Sequence, residues 1–575
     1  MAAAATALLT AAALAPGQDR YGPEPISADG LRGIYGFEIE HEGREPERFG
    51  RTIDSAGDLN NDGAADFVVT AFEGFAGSQA AYVFFGRPGG GFPDLTTVPT
   101  QDFDGFAIVN DRTISRTSIR FARTIGDLNA DGVDDLFVSA DGSRLGYVLY
   151  GRPNGQYPKI VNFSEFGPRD GIILELTPNL WPRLTFSPWS NGALAGDVNG
   201  DGVDDAVFSF ARMRDESGHS ACQAYVLYGS ADGLPARIDP RLFDGADGFL
   251  ILPESGDDLL GVAVDGAGDV NGDGFADVVL GASGDVGSRP FEILAPGKAH
   301  VVFGGPALGA VVDVAGLDGT NGFTLRPGPD RSFGLGYGVA GVGDLNGDGR
   351  DDVAFGAPSA GDRFDGRVFV LFGAPWFEAE YRTDAIGEDE GGVFLDSSDE
   401  LVRKGLGWSV AAAGDVNADG RSDIIIGAPS IIEEFGRAHV VFGRSGGGPL
   451  GPGGVFDVAT LDGESGVTIT SPRRGGSDYF GARVGGLGDI DVDGNDDIGI
   501  TAEEANLGAG EAFVHLSGGF CPPDANGDGR LDAFDVLEFL NQYQARQALG
   551  DWNSDGFFSQ EDLAAFLNDF DAGCP

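Results

Sequence analysis

The stretch GDLNADGVDD, from Gly126 to Asp135, decides the fold, because close copies of it recur along most of the chain. The copies are DLNNDGAAD from Asp58, DLNADGVDD from Asp127, DVNGDGVDD from Asp197, DVNGDGFAD from Asp269, DLNGDGRDD from Asp344, DVNADGRSD from Asp415 and DIDVDGNDD from Asp489. Successive copies start between 69 and 75 residues apart. A repeat of near-constant length indicates one structural unit that is used many times.

Apolar runs around each copy indicate antiparallel sheet. In the fifth repeat, NGFTL at residues 321–325 precedes the acidic loop, VFVLF at residues 368–372 follows it, and a weaker fourth strand is predicted near 381–386. Short runs rich in Val, Ile, Phe and Tyr and bounded by glycine are typical of strands. The third run of each repeat is apolar on both faces, which places it between two sheets. The sequence therefore predicts a seven-bladed β-propeller with four strands in each blade.

The two ends of the repeat region suggest how the ring closes. The seventh repeat ends near residue 517 without an outer strand of its own. The sequence EPISADGLRGIYGFEI at residues 24–39 matches the linker VVDVAGLDGTNGFTL at residues 311–325. We therefore predict that residues near 24–30 add the outermost strand to the last blade, which removes two exposed sheet edges.

Composition limits the partners and the compartment. The formal net charge of -53 argues against nucleic acid and anionic lipid surfaces, which need a basic footprint, and favours cations. Residues 1–17, MAAAATALLTAAALAPG, form an apolar stretch that is long enough for a signal peptide and too short to span a bilayer. We therefore expect a secreted or cell-surface protein, with no membrane span after removal of the signal.

The repeats also carry a recognisable family pattern. Phe-Gly, then GDxNxDGxxD, then Gly-Ala-Pro occurs in full at residues 333–358 and in part at residues 406–429. This pattern resembles the FG-GAP repeats of integrin alpha-subunit propellers and their bacterial relatives. The resemblance covers about residues 24–518, and it implies the fold more strongly than it implies an activity.

Each loop offers carboxylate or carboxamide oxygens at its first, third, fifth and ninth positions, and the resemblance implies that the backbone carbonyl of the seventh residue joins them. Calcium accepts six to eight oxygens in irregular geometry, whereas magnesium demands a stricter octahedron. The alternative is that Asp, Asn and Gly only populate hairpin turns. The predicted calcium ligands are Asp58, Asn60, Asp62, Asp66, Asp127, Asn129, Asp131, Asp135, Asp197, Asn199, Asp201, Asp205, Asp269, Asn271, Asp273, Asp277, Asp344, Asn346, Asp348, Asp352, Asp415, Asn417, Asp419, Asp423, Asp489, Asp491, Asp493 and Asp497.

The pattern changes after residue 518. Two twelve-residue loops, DANGDGRLDAFD and DWNSDGFFSQED, are each followed by apolar residues at helical spacing. No entering helix precedes either loop, and the segment resembles a dockerin of the GC type, framed by Cys521 and Cys574. The predicted ligands in this tail are Asp524, Asn526, Asp528, Asp532, Asp535, Asp551, Asn553, Asp555, Ser559 and Asp562.

Two roles are open for this tail. It is either the attachment to a cohesin-like or other anchoring receptor, or a structural cap held by calcium. Cys521 and Cys574 bracket the segment and would staple it if they form a disulfide, which fits an oxidising compartment.

The predicted fold class is mainly β: a signal peptide at 1–17, a seven-bladed FG-GAP β-propeller at 18–518, and a small C-terminal α-helical, calcium-binding, dockerin-like domain at 519–575. The sequence contains no HExxH motif, Walker-type loop or zinc-spaced CxxC. Three of the five histidines, His300, His439 and His515, lie in predicted third strands, where a core role is expected. We therefore assign no catalytic residue and no organic cofactor.

We expect these features to make a calcium-stabilised propeller that binds an unidentified protein or glycan and is attached to the cell surface. The resemblance of the tail implies that the cell is bacterial. The alternative is a polysaccharide hydrolase or lyase built on a propeller. The axial face of the propeller distinguishes the binding module from the enzyme, because an enzyme should gather ionisable and aromatic side chains from different blades around one pocket.

Overall fold

The structure is a computed structural model, and nearly all of its described residues belong to one compact unit within residues 25–461 and 466–518. The predicted signal peptide, both tail loops, Cys521 and Cys574 lie outside the described residues. The described residues are 26–27, 36–40, 49–71, 80–88, 92, 103–109, 118–141, 145–176, 191–214, 220–255, 258–283, 296–306, 308–329, 333–361, 364–386, 391–397, 405–429, 436–444, 454–463, 465–471, 478–503, 505 and 510–517.

These residues are almost entirely strands and turns. The strands of the first half are β1 (Ile26–Ser27), β2 (Gly36–Glu40), β3 (Phe49–Gly57), β4 (Asp66–Ala71), β5 (Ala80–Phe84), β6 (Gly105–Val109), β7 (Ser118–Thr124), β8 (Leu136–Asp141), β9 (Leu145–Leu149), β10 (Ile160–Asn162), β11 (Gly171–Glu175), β12 (Asn191–Gly196), β13 (Asp205–Arg214), β14 (Ser220–Leu227), β15 (Arg237–Ile238), β16 (Gly248–Leu252) and β17 (Leu260–Gly268). Those of the second half are β18 (Asp277–Ala282), β19 (Lys298–Val302), β20 (Val311–Asp313), β21 (Gly322–Arg326), β22 (Val339–Gly343), β23 (Asp352–Ala357), β24 (Arg367–Leu371), β25 (Glu380–Arg382), β26 (Gly392–Asp396), β27 (Ser409–Gly414), β28 (Asp423–Ala428), β29 (Arg437–Val441), β30 (Val455–Asp457), β31 (Gly466–Thr470), β32 (Val484–Gly488), β33 (Asp497–Ala502) and β34 (Glu511–His515).

The strands form seven sheets, which confirms the predicted seven-bladed propeller. Successive innermost strands contact each other around the ring, and β3 of the first blade contacts β32 of the last. From the axis outward the blades are β3-β4-β5-β6, β7-β8-β9-β11, β12-β13-β14-β16, β17-β18-β19-β21, β22-β23-β24-β26, β27-β28-β29-β31 and β32-β33-β34-β2.

A short fifth strand covers the outer edge of six blades. In the fifth repeat, β25 pairs in parallel with β21 of the fourth blade, and the chain then returns to form β26, the outermost strand of its own blade. The prediction that residues 381–386 form the fourth strand of their own repeat was therefore wrong. The segment instead pairs with an edge that would otherwise be exposed on the neighbouring blade.

Among the described residues, one-turn 3-10 helices follow four of these short strands. The N-cap residue of each helix, such as Asp313, accepts a hydrogen bond from the backbone N–H two residues later. Such a cap satisfies a donor that the short helix leaves unpaired. The four helices are Phe163–Glu165, Pro240–Leu242, Val314–Gly316 and Val458–Thr460.

The N-terminal segment closes the ring, but with a different strand from the one predicted. β2 pairs antiparallel with β34, with Phe37 opposite Val514 and Ile39 opposite Ala512. The outermost strand of the last blade is therefore residues 36–40 and not residues 24–30. Residues 26–27 pair in parallel with β31 of the sixth blade, because this segment follows the order of the other linkers: it pairs first with the preceding blade and then completes its own.

The hydrophobic core lies in layers between adjacent blades. All six residues of β23 are buried, and the same holds for β28 and β33. His300, His439 and His515 are also buried, and Nδ1 of His300 lies 2.9 Å from the Thr324 hydroxyl. Burial lowers the pKa of His300 to about 3. This environment agrees with the core role expected for these histidines.

The Phe-Gly and Gly-Ala-Pro elements of the repeat meet across blade boundaries. A Cβ atom added to Gly356 would lie 2.1 Å from the carbonyl oxygen of Gly407 in the next blade. Likewise, a Cβ atom added to Gly427 would lie 2.0 Å from the carbonyl oxygen of Gly481. The second strand and the turn that leads into the next innermost strand thus pack backbone to backbone, and glycine is required there because no side chain fits.

Candidate functional site

The seven acidic loops occupy equivalent places in the seven blades. Each connects the innermost strand to the second strand, as residues 344–352 connect β22 to β23. Adjacent loops are joined by backbone hydrogen bonds. The Asp197 carbonyl in the loop of the third blade accepts the Ala276 N–H in the loop of the fourth at 3.0 Å, and the Asp489 carbonyl in the seventh loop accepts the Ala65 N–H in the first at 3.0 Å. The loops therefore form a ring at one end of the propeller.

Within each loop, carboxylates fold back on the backbone. In the fifth blade Asp344 accepts the N–H groups of Asp348 and Gly349 at 3.0 and 2.8 Å, and Asp348 accepts that of Arg350 at 3.1 Å. A carboxylate has about four lone-pair sites, so these bonds leave acceptor capacity on each group. The same bonds hold the first and fifth carboxylates on one side of the turn.

The loop conformation explains the glycine at the sixth position. Its φ lies between 82° and 95° in all seven loops, from Gly420 to Gly494. A Cβ atom there would meet nothing within 4 Å, so the conformation and not the space requires glycine.

Sequence reasoning missed the fourth position, which also has positive φ. Ala130, Ala418 and Val492 adopt φ values of 55°, 58° and 60°. The cost of this conformation is of order 1–2 kcal/mol for a residue with a side chain. The sequence did carry a signal for this conformation, because three copies have glycine at the fourth position: Gly200, Gly272 and Gly347.

The ninth-position aspartates are fully buried in all seven loops. Asp352 accepts the N–H of Leu345 at 3.0 Å and that of Gly373, just after the third strand, at 2.8 Å. Burial raises the pKa of Asp352 to about 8, against the two hydrogen bonds, and neighbouring Asp344 and Asp348 raise it further. Such a carboxylate ionises readily only beside a positive charge. The ninth residue is thus both a structural link and a candidate ligand.

The eighth loop position has a separate role that sequence reasoning missed. Asp134 accepts the N–H of Asp58, the first residue of the preceding loop, at 2.8 Å. Asp351 bonds to Asp269 in the same way, also at 2.8 Å. The eighth residue therefore links neighbouring loops.

Two observations bear on whether these loops fit a cation. Carboxylate oxygens of Asp489, Asp491 and Asp493 lie within 4.8 Å of one another. Buried oxygens of Asn60, Asp135 and Asp491 have no hydrogen-bond partner among the described residues. These three residues occupy predicted ligand positions. Hard oxygen donors that converge or lack a proton donor are what calcium binds, so the residues of the first, second and seventh loops fit the ion.

Replacing the ninth and fifth residues should separate the structural role from the ligand role. In excess chelator, Asp352→Ala leaves two buried N–H groups unpaired and is expected to cost about 3 kcal/mol, or about 3 °C in thermal midpoint for a chain of this size. Asp348→Asn, at an exposed residue, should leave the metal-free midpoint unchanged and reduce only the gain from calcium. Differential scanning calorimetry checks both, and equal effects of the two variants without calcium would contradict the distinction.

A cavity of about 260 Å³ lies on the propeller axis, within the same compact unit. All seven innermost strands or the turns that lead into them contribute to its lining, which includes Arg51, Arg123, Tyr337 and Trp408. At its centre Arg123 lies 3.1 Å from Asp54 and 2.9 Å from Asp265, on two other blades. Burial raises the pKa of Asp54 to about 6 against the lowering effect of Arg123, and the Asp265 carboxylate raises it further. The cavity therefore collects ionisable and aromatic groups from different blades.

The fold is a seven-bladed β-propeller, and part of the chain matches a known repeat family. The FG-GAP repeat family model matches residues 335–371 and 406–441. The chain is 29% identical over 236 residues to "Integrin alpha pat-2" of Caenorhabditis briggsae, covering 40% of this chain and 17% of that protein. It is 32% identical over 168 residues to "Phosphatidylinositol-glycan-specific phospholipase D" of Bos taurus, covering 28% of this chain and 18% of that protein.

A third relative, "Integrin alpha-V" of Gallus gallus, is 31% identical over 181 residues, which cover 30% of this chain and 14% of that protein. The chain thus spans less than a fifth of the length of these curated relatives. Among the residues that the structure describes, no helix has the length and apolar character needed to cross a membrane.

Proposed function

We propose that the seven loops bind calcium and that the ions stabilise the propeller. Support comes from the buried oxygens of Asn60, Asp135 and Asp491, which have no donor among the described residues. The ninth carboxylates need a positive charge to ionise where they are buried. Calcium would supply that charge and join the two ends of each loop. The first, third, fifth and ninth side chains would hold the ion.

We also propose that the propeller is an exported module that binds a protein or a glycan. Its relatives include integrin alpha chains, and the fold presents a closed ring of seven blades. The dockerin-like tail at 519–575 would attach this module to a surface receptor or larger assembly. Residues 1–17 would direct export.

The axial cavity bears on the alternative of a polysaccharide hydrolase or lyase. It does gather groups from different blades, which favours a ligand site on the axis. Its two aspartates, Asp54 and Asp265, are both bound to Arg123, and a glycosidase needs one carboxylic acid and one carboxylate placed to act on the same bond. The cavity therefore fits binding better than hydrolysis.

Binding and cleavage are separated by one set of experiments on the full chain. The protein, with calcium present, is applied to arrays of bacterial and host glycans and of envelope proteins, and is incubated with a panel of polysaccharides. Selective retention without new reducing ends or unsaturated sugars is the expected result. Product release would favour the enzyme, and no retention on any array would contradict the binding function. The tail alone, used as bait on an envelope extract, tests the attachment.

A further inference from the structure

We infer that the seventh loop, residues 489–497, is the tightest of the cation sites and keeps its ion at calcium concentrations that empty the other loops. The inference rests on the proposed calcium function and adds an order of binding to it. The most firmly held ion then lies at the joint between the last blade and the first.

The seventh loop carries one more carboxylate than the other six. Its first, third, fifth and ninth residues are all aspartates, whereas the third residue of every other loop is asparagine. Carboxylate oxygens of Asp489, Asp491 and Asp493 lie within 4.8 Å of one another, and no other three acidic, histidine or cysteine side chains among the described residues converge in this way. The number of ligand charges is one of the properties that set the calcium affinity of a loop. The extra charge therefore favours an ion in the seventh loop.

Two buried oxygens in this loop point to a ligand independently of the charge. Asp491 and Asn495 are 8% and 6% exposed, and Oδ1 of each has no hydrogen-bond partner among the described residues. The amide of Asn495 lies against the acidic cluster, because its Nδ2 donates to Asp493 at 2.9 Å. The other copies carry Ala, Val, Phe or Arg at this seventh position, so only the last loop has a side-chain oxygen there that is free of charge. Buried oxygens without a partner are costly, and a bound cation offsets that cost.

The fifth and sixth loops differ in the opposite direction. Both have arginine at the seventh position. In the sixth loop the Arg421 guanidinium lies 3.1 Å from the carboxylate of Asp419, a predicted ligand, and in the fifth loop Arg350 lies 3.7 Å from Asp348. A guanidinium beside a ligand carboxylate repels a cation and competes with it for the same oxygen. These two loops should therefore bind calcium more weakly than the seventh, which contains no arginine.

The seventh loop also lies at the joint where the ring closes. Its Asp489 carbonyl accepts the Ala65 N–H of the first loop at 3.0 Å. The Ile490 carbonyl accepts the N–H of Arg87, also in the first blade, at 2.6 Å. Ala65 is the eighth residue of its loop, and alanine cannot make the carboxylate link that four eighth-position aspartates make to the preceding loop. An ion that holds the seventh loop in shape therefore keeps these two bonds between the last blade and the first.

Competition with a chromophoric chelator tests the order of binding in the full chain. Metal-free protein is titrated with calcium, and one site per chain should bind at least about tenfold more tightly than the rest. Asp491→Asn gives the seventh loop the third residue of the other loops and should remove this tight class. Asp348→Asn is the matched control, because it removes the same charge from the fifth loop and should leave the tight class intact. Arg421→Asn should strengthen one weak site.

Hydrogen exchange measured by mass spectrometry tests the joint. At a calcium concentration that fills only the tight class, peptides containing Ala65 and Arg87 should keep the protection that they have in millimolar calcium. Peptides from residues 344–352 should lose theirs. In Asp491→Asn both groups of peptides should lose protection together.

Several results would overturn the inference: a single affinity class, a tight class that survives Asp491→Asn or disappears in Asp348→Asn, an unchanged weak class in Arg421→Asn, or first-blade peptides that lose protection together with residues 344–352 in the unchanged protein. Uniform calcium binding that still raises the thermal midpoint would leave the proposed calcium function in place and remove only the order of binding. Absence of calcium binding to the full chain would remove both.

Discussion

Deleting residues 19–40 is expected to convert a monomeric propeller into an aggregating chain. The deletion removes β2, and with it Phe37 and Ile39, which are 9% and 0% exposed in the core between the last and first blades. Fully burying such side chains contributes about 1.5–3 kcal/mol each. Loss of the strand also exposes the edge of β34, a template for pairing with other chains.

A shorter deletion provides the control. Removing residues 19–35 takes away β1, the two-residue strand on the sixth blade that is the one element the structure describes in this range, and leaves the closing strand in the chain. We expect this variant to remain monomeric with a thermal midpoint close to that of the full chain. Size-exclusion chromatography with light scattering and a thermal melt distinguish the two. Aggregation of both deletions to the same extent, or of neither, would refute closure by residues 36–40.

Chelation of calcium should lower the thermal midpoint by about 10–20 °C. An ion held at 100 times its dissociation constant stabilises the folded state by about 2.7 kcal/mol per site. Over seven loops this approaches 19 kcal/mol, and unfolding entropy for roughly 500 residues makes each kcal/mol worth about 1 °C. The stabilisation comes from the ion's preference for the folded loops, because the unfolded chain does not hold the four side chains together.

The measurement is a melt in millimolar calcium, in excess EGTA, and in EGTA followed by excess calcium. Recovery of the midpoint on re-addition separates ion loss from damage, and magnesium in place of calcium should recover only part of it. A midpoint that does not move in EGTA would mean that the loops are hairpin turns without a bound ion.

Much of this protein follows from local sequence. The 69 to 75 residue spacing of the acidic loops is enough to predict seven blades, because each copy marks one hairpin between two apolar runs. Glycine at the sixth loop position is equally local, since the turn itself demands a positive φ there, as at Gly132 with 88°. Burial of the third strands follows from their apolar character on both faces.

Other features depend on which segments meet across the ring. The closing strand was predicted one element too early, because the match of residues 24–39 to a linker does not say which part pairs with which blade. The bond from Asp134 to Asp58 joins residues 76 positions apart, and nothing in either loop alone requires it. The axial cavity draws its lining from all seven blades, so its arginines and aromatic residues are scattered through the chain.

The sequence by itself determined the number of blades, the place of each acidic loop and the glycine at its sixth position, since those depend on contacts within one hairpin. Only the tertiary structure decided which strand closes the ring, that the eighth aspartates bond to neighbouring loops, and that arginines and aromatic residues share one cavity. The physical reason is distance along the chain: these groups come together only when the ring is closed and its blades are packed.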